Sequence, residues 1–174
     1  MRILVAGVLA VLLGFPVALG VDSQEVTVDV VWGVESAINA FNLNAWGCAM
    51  PIDFGVVNIE NSPKDSGCDL VYQIDASPAG SDGEVRLSVR LAASMPSGSS
   101  LKLTATVDPG SSGVSEGAKT LSTASRTLVS DIAAGAVLSP AFDSTGSIDL
   151  QMSATATATE GSFSAAVLFT VALF

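Results

Sequence analysis

The chain has 174 residues, with 17 Asp and Glu against 7 Lys and Arg, a formal net charge of −10 and no histidine. The missing histidine excludes Ser-His-Asp and Cys-His catalysis and every His-ligated zinc site. No Lys/Arg cluster exists, which argues against nucleic acid and anionic lipid as partners, and a composition almost half apolar argues against disorder.

Met1 to Gly20 has the form of a secretory signal peptide: Arg2, an apolar run from Ile3 to Ala18, then small residues before Val21. A membrane anchor is the competing reading, since the run nearly spans a bilayer if tilted, but the polar Asp22-Ser23-Gln24-Glu25 favours cleavage before Val21. Residues 21–174 then form one domain, exported to the cell surface or beyond, through a periplasm if the cell is Gram-negative.

From Glu25 the chain alternates, placing Val26, Val28, Val30 and Trp32 on one face of a strand. Gly33 to Asn44 carries Val34, Ile38 and Phe41 at helix-compatible spacing and reads as a helical turn or a linker, with 21–44 as a unit of strand plus linker. Trp46, Cys48, Met50 and Ile52 return to even spacing, interrupted by Pro51, which belongs at a strand edge or bulge. Asn61 to Gly67 is a loop by its residue types, and Leu70, Tyr72 and Ile74 alternate after Cys68.

Beyond a surface connection at Ala76 to Gly83, Val85, Leu87, Val89 and Leu91 face inward while Glu84, Arg86, Ser88 and Arg90 face out. Leu101, Leu103, Ala105 and Val107 repeat the pattern, and Asp108 to Gly113 turns the chain. Lys119 to Ile132 holds one or two short strands with Leu121, Leu128 and Ile132 as core candidates, followed by alternation at Ile148, Leu150, Met152, Ala154 and Ala156. The chain ends in an uncharged strand from Gly161, with Phe163, Ala165, Val167, Phe169, Val171 and Leu173 on a wholly apolar face. At about 3.3 Å per residue the stretch after Ser162 spans roughly 40 Å, and it needs cover on both faces and a partner along each edge. Strands at this spacing, with no long amphipathic helix, predict an all-β, antiparallel β-sandwich.

Cys48 and Cys68 are the only cysteines, and in an exported chain they predict a disulfide. Closing a loop of about twenty residues should stabilise the fold by roughly 3 kcal/mol. Other chemistry is faint. Ser99-Ser-Leu-Lys102 has Ser-x-x-Lys spacing but leads into a strand, whereas that motif needs a helix to align its side chains. Asp75 to Glu84 lacks the alternating acidic positions of a calcium loop, no Gly-rich phosphate loop opens a helix, and no carboxylate pair is singled out as in glycosidases. The expectation is no catalytic residue, no metal, no cofactor and no small-molecule substrate.

Cys48-Ala-Met-Pro-Ile-Asp-Phe-Gly55, followed by Cys68-Asp-Leu-Val-Tyr-Gln-Ile74, resembles the layout of spore coat protein U-like and chaperone-usher pilin domains. The ending is similar too: Gly161 is the fourteenth residue from the end and the tail reads Phe169-Thr-Val-Ala-Leu-Phe174, with Leu173 where such pilins usually carry Tyr. The resemblance implies an immunoglobulin-like sandwich lacking its final strand, completed first by a periplasmic chaperone and then by the N-terminal extension of the next subunit. In that reading Val26, Val28, Val30 and Trp32 are the donor strand, and Gly161, Phe163, Val167, Phe169, Val171 and Leu173 mark the C-terminal edge strand that receives it. Alternation specifies a strand and not whose sheet it joins, so residues 24–32 equally suit the first strand of their own sandwich. The expected function is a secreted, self-assembling subunit of a surface fibre, pilus or coat. A monomeric secreted binding or adhesion module is the alternative.

Overall fold

The structure is a computed structural model, and it describes residues 23–34, 38, 40–76, 84–133 and 142–174. All regular structure among these residues is β: β1 (Ser23–Val34), β2 (Ala40–Trp46), β3 (Ile52–Asn58), β4 (Lys64–Asp75), β5 (Glu84–Leu91), β6 (Ser99–Val107), β7 (Val114–Ser115), β8 (Lys119–Thr120), β9 (Arg126–Ala133), β10 (Ser144–Ala154) and β11 (Gly161–Leu173). A six-stranded sheet of order β3-β1-β11-β5-β9-β7 faces a five-stranded sheet of order β2-β4-β10-β6-β8.

The alternation read from the sequence becomes the shared core of this sandwich. Val85, Leu87, Val89 and Leu91 of β5 are buried against the other sheet's Leu101, Leu103, Leu70, Tyr72, Ile148, Leu150 and Met152, and Val167, Phe169 and Val171 of β11 close the layer. Side chains of successive residues point to opposite faces, so each strand needs only its apolar half inside.

Several sequence readings are corrected. The sandwich is not purely antiparallel, because β1 and β11 pair in parallel. The final strand is not an edge strand: β1 lies along one side of β11 and β5 along the other. The helical reading fails over Ala40–Trp46, where buried Phe41 and Leu43 set a period of two; residues 35–37 and 39 lie outside the described residues. Finally, β10 stops at Ala154, so Ala156 is exposed in a turn and Ala158 takes the buried position.

The loop read over Asn61 to Gly67 ends at Pro63, because β4 begins at Lys64. Pro51 directly precedes β3, an edge strand whose bulge contains Gly55 at φ +57°, a conformation that glycine adopts without strain. The signal-peptide reading of residues 1–20 and most of the connection at 76–83 lie outside the described residues.

Candidate functional site: the groove filled by β1

The N-terminal strand occupies a groove in its own sandwich. β1 runs parallel to β11 from Gln24 opposite Gly161 to Val34 opposite Val171, and antiparallel to β3 from Ser23 opposite Asn58 to Val28 opposite Ile52. Val26 and Val28 are fully buried, Val30 is partly buried against the core, and Trp32 remains 47% exposed, beyond the point where β3 pairing stops. Burying the two inner valines should contribute about 1.5–3 kcal/mol each. Of the residues on the receiving strand, Val167, Phe169 and Val171 are buried, Phe163 and Leu173 are partly buried, and Gly161 is exposed at the strand's start.

The outer face of the same strand is held by hydroxyl-to-carboxylate bonds. Ser162 Oγ donates to Glu25 over 3.0 Å and Ser164 Oγ to Asp29 over 2.8 Å. At the mouth of the groove lies a residue that the sequence groups with the polar Asp22, Ser23 and Glu25 after the expected cleavage site. Gln24 is fully buried; its Nε2 donates to the Thr159 carbonyl and its Oε1 accepts from Ser99 Oγ, both at 2.7 Å. Its position in phase with Val26, Val28 and Val30 was the signal that marks it as inward-facing.

The cysteines are joined, with Cα atoms 5.5 Å apart, tying the connection between β2 and β3 to β4. A formed disulfide fits an oxidising compartment. The Ser99 hydroxyl is engaged by Gln24, and Lys102, three residues along a strand, stands on the opposite face, so the Ser-x-x-Lys pair is not brought together.

Two further groups anchor the sandwich. Tyr72 donates its hydroxyl to the Thr106 carbonyl over 3.1 Å, and burial pushes its pKa up to about 12, so it stays a neutral donor. Beside it Gly146 leaves no room for a side chain, since a Cβ there would lie 2.6 Å from the Tyr72 hydroxyl. At the chain's end Arg86 bonds both carboxylate oxygens of Glu84, at 2.7 and 2.9 Å, while its guanidinium carbon lies 4.8 Å from the centre of the Phe174 ring.

No protein-family model and no curated protein matches the sequence.

Proposed function

We propose that the chain is a secreted structural subunit of a surface fibre or coat, which assembles by exchanging β1 between copies. One observation carries the reading: the first strand of the sandwich, apolar at alternate positions, fills the groove between β3 and β11 of its own domain. The same strand from a second copy would make the same backbone bonds and bury the same valines, so exchange costs no contact. Only residues 35–39 separate β1 from β2, and a short hinge favours exchange over closure. A strand passed from each copy to the next is a heterologous contact, which generates an open fibre when the rotation does not close. The groove without its strand would present apolar surface and an unpaired edge, the kind of surface a periplasmic chaperone covers by strand addition.

The test uses the full-length mature chain carrying Val28→Asp, which puts a carboxylate into the apolar groove and expels the resident strand. This chain should stay monomeric, capture a synthetic peptide of residues 21–34 and recover the β-sheet circular dichroism of the parent, while the parent forms fibres under the electron microscope. Undiminished fibres from the variant, or an unfolded chain that no peptide restores, would overturn the proposal.

A monomeric binding module is the second reading, favoured by Trp46, which is 73% exposed and paired across from Asp69 on the outer face of the five-stranded sheet. A parent protein that stays monomeric at high concentration would select it.

A further inference from the structure

We infer that Gln24 is the residue that sets the register and direction of the strand in the groove, so that the groove is specific for β1 of this chain or of a second copy. The inference rests on the exchange reading only for the second copy; the register of β1 within one chain is decided by the same contacts.

The apolar pattern cannot set the register by itself. Slide β1 by two residues so that Val26 stands opposite Gly161: Val28, Val30 and Trp32 then follow into the positions vacated, and every buried site still receives an apolar side chain. The bulge in β3 does not resist this slip either, because it meets β1 through backbone groups, which are the same at every residue of the strand.

What changes, besides the exposed hydroxyl-to-carboxylate bonds of the outer face, is the mouth of the groove. Ser99 Oγ opens β6 of the facing sheet, and the Thr159 carbonyl lies in the connection from β10 to β11, so both belong to the receiving body. One is used as a donor and the other as an acceptor, a pair that a carboxamide satisfies with its oxygen and its NH2 at once. A valine at that position takes away the partner of both polar groups, which lie part-buried at the mouth of the groove, and a carboxylate offers nothing to donate to the carbonyl. Slipping the other way drives the Gln24 amide into the place of Val26, which has no exposed surface. Entering backwards carries the amide to the far end of the groove. A single buried amide among apolar neighbours thus selects one alignment, as a lone Asn does in a coiled-coil seam.

Cysteine pairs on the outer face read the register in the full chain. Asp29 stands opposite Ala166 in the observed alignment, whereas Val31 would stand there after the slip. With Gln24 present, Asp29→Cys with Ala166→Cys should cross-link on oxidation, and Val31→Cys with Ala166→Cys should not. Adding Gln24→Val should raise the second cross-link roughly tenfold or more, since two hydrogen bonds no longer oppose the slip. Ser99→Ala, which leaves β1 untouched, should raise it by less, and Gln24→Asn should not restore the original alignment, because the shorter side chain cannot span both partners.

If neither Gln24→Val nor Ser99→Ala raises the slipped cross-link, Gln24 does not set the register and the inference fails. Whether the bond joins one chain or two is read separately on a non-reducing gel. Cross-links confined to single chains would sink strand exchange while leaving the register result standing.

Discussion

Asp69 and Asp149 stand directly opposite each other on β4 and β10, on the outer face of the five-stranded sheet. Partial burial raises the Asp149 pKa above its usual 3.8, and the neighbouring carboxylates of Asp65 and Asp69 raise it further. A carboxyl whose pKa is raised on folding destabilises the fold when ionised. The penalty is absent below the unfolded pKa and complete once the pH exceeds the folded one. Asp149→Asn should therefore stabilise the protein by about 0.5 kcal/mol at neutral pH, the scale of a like-charge cross-strand pair. Urea unfolding of both proteins at neutral pH and near pH 3 checks this: the gain should vanish at the acid end.

The Glu84 carboxyl is shifted the other way. The bond from Arg86 holds its pKa at about 2, against an ordinary 4.5. Its stabilising contribution is present above the unfolded value and is lost as the pH falls towards about 2. Arg86→Ala should return the Glu84 titration, followed by carboxyl chemical shift, towards the ordinary range. The pair is partly exposed at the surface, where solvent screens it, so the same substitution should change overall stability little.

For the disulfide, intact mass of the non-reduced protein should show no free thiol, because Cys48 and Cys68 are bonded. Cys68→Ser should cost about 2–5 kcal/mol, read from the denaturation midpoint. Two thiols that alkylate in the oxidised native protein would contradict the structure.

Tyr72 and Gly146 should tolerate change poorly and unequally. Tyr72→Phe removes one buried hydrogen bond and should cost about 1 kcal/mol, whereas Gly146→Ala forces a methyl against the Thr106 carbonyl and the Tyr72 ring and should cost several times more. A phenol whose pKa is raised to about 12 contributes stability up to its ordinary 10.0 and loses it as the pH climbs past that value. Alkaline unfolding between these two values should shift upward in pH when Tyr72 is replaced by Phe.

The inner faces of the strands were legible in the sequence because burial and alternation share a period of two. Val85 to Leu91 and Leu101 to Ala105 lie where that period puts them. Neighbour relations were not legible, since alternation states which side chains go inside and nothing about which strand lies alongside. Hence β11 looked like an edge in want of a partner, while its partner was the strand at the start of the same domain. Ile38 and Phe41 suggested a helical spacing only because the linker before β2 places a buried residue three positions ahead of the strand's first inward one. The disulfide followed from residue count and the expected compartment. Gln24 was passed over for its polar neighbours Asp22, Ser23 and Glu25, although its parity matched the valines.

The parallel pairing of β1 with β11 also decides how the domain meets a mechanical load. Ser23 and Phe174 lie at opposite poles of the sandwich, since the two terminal strands run the same way side by side. Tension applied through the two ends pulls β1 and β11 along their common axis in opposite directions. The unbroken register from Gln24 to Val34 is then sheared as a whole, with its hydrogen bonds sharing the force, where an antiparallel pair loaded at one end would unzip bond by bond. A domain strung between neighbours should yield abruptly and at high force in single-molecule pulling, with its first rupture at the β1–β11 seam.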